Sequence, residues 1–270
     1  MWDMEPKKVL VGVDRSDSEA ALQYAVAEAI RRGCGIHVVH VARPVPASGV
    51  LDDNALVEGE LRETSQLLLA TSTARAQELI DELAPEDERL SVSTEVTHGS
   101  VVAALQSLSR HAAVLVLEHH GMGQTGETPS LSVTAGVASV ARCPVVAVPD
   151  TWRPTAHDTS PVVAGLEQPH RDEAVLEAAR HEAERRRVPL DVVRADVGES
   201  IVAALLDSAA DADLVVVARH HRKHMVGARL GPAARGLVRH SPVPVLLVDP
   251  VVGDRTAPSG RNGLAAAGQE

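Results

Sequence analysis

The chain has 270 residues, 44% hydrophobic and 23% charged, which bounds it to one large or two small globular domains with a true core. With no Phe, one Tyr and two Trp, that core is aliphatic, and the composition argues against aromatic platforms that stack bases or sugars. A net charge of −11 excludes general nucleic-acid or anionic-membrane binding, since both need an electropositive face.

The charge is unevenly spread. Residues 1–150 carry 11 Lys/Arg against 21 Asp/Glu, and residues 151–270 carry 15 against 16, so the two halves present different surfaces. Two cysteines, Cys34 and Cys143, lie far apart without a CxxC spacing, which suggests neither a disulfide framework nor a zinc site. A reducing cytoplasm is the expected location. The opening residues lead into a short apolar strand without the pattern of a secretory signal, and no run reaches the length of a membrane span.

In chain order, short Val-rich runs alternate with Ala-rich helical segments, as in the βα units of a parallel sheet buried on both faces. Strands are predicted near 8–14, 36–41, 91–97, 113–118 and 144–149, and helices near 17–32, 55–84, 100–110 and 132–141. The Pro-rich stretch at 43–49 is a loop, because its prolines break either regular element.

The second half repeats this order. Val101-Val-Ala-Ala-Leu105 recurs as Ile201-Val-Ala-Ala-Leu205, and Arg142-Cys-Pro-Val-Val146 as Pro242-Val-Pro-Val-Leu246, both at an offset of 100. Gly12-Val13-Asp14 instead matches Gly165-Leu166-Glu167 at an offset of 153. The second copy therefore lacks 53 residues between its first strand and third helix, about one βα unit, so five strands are expected and then four.

The expected organisation is a domain over 1–150, a linker over 151–160, a shortened domain over 161–250 and a disordered tail over 251–270. Each domain ends in a strand, at 145–148 and 245–248, that would otherwise expose a bare sheet edge. Pairing of these two edges is the expected intramolecular association, with a further homodimer left open.

In an open parallel sheet, ligands collect beyond the carboxyl ends of the strands where the strand order reverses. That places a crevice between the loops after Asp14 and Glu118. Asp14 has two readings: a carboxylate that accepts hydrogen bonds from a ribose or polar ligand, or part of the cap of the following helix.

The segment Lys8-Val-Leu-Val-Gly-Val-Asp14-Arg-Ser16-Asp-Ser18, Gly99 before a helix, and Ser132-Val-Thr-Ala-Gly-Val-Ala-Ser-Val-Ala-Arg-Cys-Pro-Val-Val-Ala-Val-Pro149 together resemble the universal stress protein family. The resemblance covers nearly the whole chain as a tandem pair. It implies an α/β fold of two tandem doubly wound parallel-sheet domains, of adenine nucleotide alpha hydrolase-like type, the second short by one βα unit. It also implies a regulatory or binding role in a stress response, with ATP as the cofactor of the first domain. The implied ligand contacts are Asp14, Arg15, Ser16, Val41, Gly121, Ser132 and Val133.

Nucleotide-binding members of that family carry, after the fourth strand, a glycine, two residues, a glycine, nine residues, then a glycine followed by Ser or Thr. Backbone N–H groups there close on phosphates. This chain has Glu118, Gly121, Leu131 and Ser132 at those positions, and Ala218, His221, Gly231 and Pro232 in the second copy. Leu131 adds bulk where backbone approach is needed, Glu118 adds a carboxylate, and Pro232 has no N–H to offer. These departures weaken the case for ATP in the first domain, and more so in the second.

Other patterns point less far. Gly121-Met-Gly123-Gln-Thr-Gly126 spells the dinucleotide fingerprint, but Glu127-Thr-Pro129-Ser interposes before the helix, so a glycine-containing loop is the expectation. His119, His120, His220, His221 and His224 gather after the fourth strands without a completing ligand set, and no metal is expected. Arg219-His-His-Arg-Lys-His224 is a cationic loop, read either as solvated or as a site for an anion or an acidic protein partner. No catalytic constellation is evident. The functional alternatives are a nucleotide-dependent enzyme, by slow ATP hydrolysis or nucleotide transfer, and a pure interaction scaffold.

Overall fold

A computed structural model of the chain describes residues 7–14, 18–42, 51–85, 90–119, 133–154, 159–167, 172–195, 200–219 and 230–249, with side chains in the longest helix described from residue 59. The first copy runs β1 (Lys8–Val13), α1 (Glu19–Arg32), β2 (Ile36–Ala42), α2 (Leu51–Leu83), β3 (Val92–His98), α3 (Val101–Leu108), β4 (Ala112–His119), α4 (Val133–Val140) and β5 (Val145–Pro149). The second runs β6 (Val162–Leu166), α5 (Asp172–Arg186), β7 (Leu190–Arg194), α6 (Val202–Ala209), β8 (Leu214–Ala218), α7 (Pro232–His240) and β9 (Val245–Val248). The expected five strands and then four are present among the described residues, and the tail predicted over 251–270 lies outside them.

The inner strands are apolar on both faces because helices cover both faces, whereas the edge strands β3 and β7 are only partly buried. In β1, Val9, Val11 and Val13 join α1 and α2 in one core, while Leu10 joins α3 and α4 in the other. Each core continues into the second copy: Val162, Ala164 and Val216 belong to the first, Val163, Leu205 and Leu247 to the second. The helix α1 closes on Gly33 at φ 59°, whose N–H donates to the Ile30 carbonyl at 3.0 Å while the Cys34 N–H donates to that of Ala29 at 3.1 Å. Arg187, just past α5, adopts φ 56°, a conformation uncommon for a side chain of this kind.

All the described strands form one sheet in the order β3-β2-β1-β4-β5-β9-β8-β6-β7. Neighbours within a copy are parallel, and the copies join through an antiparallel pair, β5 against β9. The two terminal edges pair as the sequence led one to expect. β7 lies beside β6 in the register in which β2 lies beside β1: Leu190 is opposite Val162 as Ile36 is opposite Val9. The elements without a counterpart in the second copy are therefore α2 and β3. Their loss uncovers β7: Val38 of β2 is 0% exposed, and its counterpart Val192 is 41% exposed.

Glycines mark the close approaches in both copies. A Cβ on Gly165 would lie 2.7 Å from Leu205 Cδ1 and 2.8 Å from Val217 Cγ1, and one on Gly12 would lie 2.7 Å from Leu117 Cδ2. Gly136 and Gly236 repeat the theme at an offset of 100. They let α4 and α7 close on Val102 and Val202, which a Cβ would approach to 3.2 and 2.9 Å.

On one face of the sheet, α1 of the first copy packs against α5 of the second through a buried set of charges. Arg186 donates from Nη2 to Glu28 Oε2 at 3.1 Å and to the Tyr24 hydroxyl at 2.7 Å, and from Nη1 to Asp213 Oδ2 at 2.6 Å. Reciprocally, Arg32 Nη2 donates to Glu182 Oε1 at 2.7 Å and Arg32 Nε to Glu28 Oε1 at 2.6 Å. Burial opposes both carboxylates. At Glu28, Arg186 and Arg32 overcome it and hold the carboxyl below its ordinary range; at Glu182, burial and then the Glu28 charge prevail and push it up. Trp152 closes the seam edge-on to Tyr24, with ring centroids 5.7 Å apart.

Two stability predictions follow from this packing. Arg186→Ala removes the buried cation shared by Glu28, Asp213 and the Tyr24 hydroxyl, leaving Glu28 only Arg31 and Arg32, and should cost about 3–5 kcal/mol of unfolding free energy in a urea titration. Gly165→Ala should cost about 1–3 kcal/mol in the same titration, because Val217 has no flexible end to yield.

Candidate functional site

In the first copy the strand order reverses between β1 and β4, and a cavity of about 340 Å³ opens beyond their carboxyl ends. Its floor is Gly12, Val13 and Leu117; the absence of a side chain on Gly12 leaves room against Leu105 of α3. β2 contributes His40 and Val41, α2 contributes Leu61, and the start of α4 contributes Val133 and Thr134. Asp14, the first residue beyond β1, stands exposed on the rim.

Three of the residues expected to contact a ligand, Asp14, Val41 and Val133, are thus brought together around one cavity. Arg15, Ser16, Gly121 and Ser132 lie outside the described residues, as do Leu131 and His220 to His224. The Thr134 hydroxyl donates to the Glu118 carbonyl at 3.1 Å and ties the start of α4 to the end of β4. The Glu118 carboxylate turns to the other side of the sheet, where Oε2 accepts the Ala21 N–H in the first turn of α1 at 3.3 Å. Part of the capping weighed for the segment after Asp14 is therefore supplied from across the sheet.

His40 was not singled out from the sequence. Its Nδ1 lies 2.9 Å from the Val13 carbonyl, an acceptor only, so this nitrogen carries a proton and, in the tautomer that this bond selects, Nε2 is the acceptor. A polar residue at the carboxyl end of an otherwise apolar strand is the signal that could have found it. Thr134, one residue past the expected Ser132 and Val133, is likewise part of the lining.

The second copy carries a different arrangement at the equivalent strand ends. Pro232 opens α7 at its first turn, and the Gly231 N–H donates to the Arg219 carbonyl at 2.8 Å. The Glu167 N–H donates to Asp172 Oδ1 at 3.1 Å.

Arg219 corrects the reading of a cationic loop. Its guanidinium is buried, donating from Nη1 to the Ala141 carbonyl at 2.7 Å and from Nη2 to Asp249 Oδ2 at 2.8 Å. A cation at the carboxyl end of α4 meets the negative end of that helix, so Arg219 joins the two copies instead of facing an anion. The cationic-loop reading loses the residue that opens it.

Among the described residues, no group of three or more His, Cys, Asp or Glu is placed to hold a metal, and no helix is long and apolar enough to cross a membrane. Both cysteines are buried. Burial pushes the Cys143 thiol up to about 11 and raises that of Cys34.

The family model described as "Universal stress protein family" matches this sequence twice, over residues 5–149 and 150–249. A universal stress protein of Mycobacterium tuberculosis is 26% identical over 306 aligned positions, covering 90% of this chain and 96% of the relative. One from Mycolicibacterium smegmatis is 26% identical over 288 positions, covering 90% and 97%. Among solved structures, a universal stress protein from Archaeoglobus fulgidus shares the fold at a TM-score of 0.65 and 14% identity, over 90% of this chain and 98% of that one.

The thiolate is the reactive form of cysteine, so the raised thiols should stay unmodified. Iodoacetamide near neutral pH should label neither Cys34 nor Cys143 in the folded chain and both in denaturant, as read by intact-mass spectrometry.

Proposed function

Because this chain belongs to the universal stress protein family, we propose that it is a stress-response regulator that binds an adenine ligand in the crevice of its first copy and performs no obligatory reaction. The observation that carries this reading is the cavity at the β1/β4 switch point, lined by Asp14, Val41 and Val133. At about 340 Å³ it falls at the small end of the range for small-molecule sites, about 300–1,000 Å³. Asp14 and His40 offer hydrogen-bond acceptors at its mouth, suited to the hydroxyls and amine of a nucleoside.

The two copies then divide the work. The first holds the ligand. The second, with its first-turn proline at α7 and its Gly231 N–H engaged by Arg219, serves as a partner for the fold. The reading places the protein in a reducing cytoplasm, consistent with two buried free thiols. ATP is the weaker ligand in this scheme, since Glu118 and Leu131 stand where nucleotide-binding members of the family carry glycine.

Thermal denaturation with adenosine, AMP and ATP tests the reading. At about 100 times its Kd a ligand stabilises by about 2.7 kcal/mol, a rise of several degrees for a chain of this size. Saturable stabilisation by at least one of the three is expected, lost in Asp14→Ala, with no phosphate released from ATP. The absence of any shift at millimolar ligand refutes adenine binding, and steady phosphate release refutes the non-catalytic reading.

A further inference from the structure

We propose that Ser93 is an activated nucleophile that takes the acyl group of activated esters, with His37 as its base. The site is separate from the ligand crevice and asks nothing of it. The crevice lies beyond the carboxyl ends of β1 and β4, whereas His37 and Ser93 are the second residues of β2 and β3.

The sheet assembles this group from strands distant in the chain. His37 and Ser93 are register partners 56 positions apart. His37 is in phase with Val39 and Val41, which join Leu105 of α3 in one core, and Glu95, two residues past Ser93, shares that face. His37 Nε2 lies 3.2 Å from Glu95 Oε2, an acceptor only, so Nε2 carries a proton and, in the tautomer that this bond selects, Nδ1 is the acceptor. The Ser93 hydroxyl has one proton to give and two acceptors in reach, Nδ1 at 2.9 Å and the Ile36 carbonyl at 3.2 Å. The imidazole is the nearer. Nucleophile, base and orienting carboxylate thus stand in one chain of hydrogen bonds, the arrangement that serine acyl transfer uses on unrelated folds.

Lys8 adds a cation. Its Nζ donates to Ser93 Oγ at 3.3 Å, within reach of the carbonyl oxygen that becomes negative as Oγ attacks. The side chains of His37 and Glu95 are 24% and 42% exposed, so a small ester has access to them. In the second copy Asp191 takes the register position of His37, and β3 has no counterpart among the described residues, so the group belongs to the first copy.

In the step itself Ser93 Oγ attacks the carbonyl carbon while its proton passes to His37 Nδ1, and Glu95, a positioning residue, balances the imidazolium. The bond to the leaving alcohol then breaks, and His37 returns the proton to that oxygen. Water, deprotonated by the same imidazole, releases the acid from acyl-Ser93 and restores the hydroxyl.

The test treats the full chain with a fluorophosphonate, whose P–F bond an activated serine breaks with release of fluoride, and locates the adduct by peptide mass spectrometry. Ser93 should be labelled at least about 100-fold faster than any other serine of the folded chain, an advantage that urea abolishes without any variant. His37→Ala should slow the labelling at least about 100-fold, and added imidazole should restore part of it, which a merely structural effect would not allow. Glu95→Ala should slow it at least about tenfold, with partial recovery in Glu95→Asp, which keeps the carboxylate. Cleavage of 4-nitrophenyl acetate should fall at least about tenfold in Ser93→Ala.

Labelling of Ser93 no faster than of other serines, or as fast in His37→Ala, overturns the inference. So does ester cleavage that Ser93→Ala leaves unchanged. Each of these results leaves the proposed adenine site standing, since that site is read by thermal denaturation with its own ligands.

Discussion

Where β5 meets β9 the parallel arrangement of each copy gives way to an antiparallel ladder, with Val145 opposite Leu247, Val146 opposite Leu246 and Ala147 opposite Val245. Val146 and Leu246 are equivalent positions of the repeat, so the pseudo-twofold axis relating the copies passes between them. An unpaired edge at either strand would expose a row of N–H and C=O groups, and the ladder removes both edges at once. It also fixes everything across the seam. With the strands antiparallel, helices that are equivalent in sequence must meet one another, as α1 meets α5.

The charges at that meeting obey the same symmetry. Glu28, Arg31 and Arg32 correspond to Glu182, Arg185 and Arg186 at an offset of 154; Arg32 and Arg186 each reach the opposite copy's glutamate, while Arg31 and Arg185 pair with the glutamate of their own helix. This is the pattern of an isologous dimer interface, carried within one chain. Buried charges of this kind are costly to desolvate, and their reciprocal pairing disfavours other ways of docking two apolar helices. Tyr24 and Trp152 break the symmetry on one side only. Arg219 does so again, crossing beneath the seam to the last carbonyls of α4.

The asymmetry of the crevices follows from the loss of α2 and β3. In the first copy α2 brings Leu61 to the rim and covers β2, which lets the carboxyl end of that strand form a wall. β7 has no such cover, and Val192 is left in solvent. A ligand site at a topological switch point is enclosed by its flanking strand and helix, and in the first copy α2 and β2 supply that enclosure.

Strand positions, their parallel pairing, the tandem repeat and the missing unit were legible in the sequence because each rests on local pattern: apolar runs, offsets of 100 and 153, and turn residues. Asp14 stood out in the sequence because it ends a strand, where an α/β sheet puts its ligands, and Val41 and Val133 came from the family resemblance; the fold brings the three around one cavity. The Glu-Ala-x-Arg-Arg repeat at 28–32 and 182–186 was equally visible. Its meaning was not, since a charged pair at helical spacing reads as a solvated face until another helix is laid upon it. The places of the Arg219 and Glu118 side chains were not legible for a related reason. One was counted with its cationic neighbours and the other with a phosphate motif, while each side chain reaches across the sheet to a helix terminus distant in sequence. Local sequence determined the elements and their repetition, because those depend on neighbours along the chain. Only the tertiary structure decided which charges are buried, paired or turned toward the crevice, because that depends on what the fold brings opposite them.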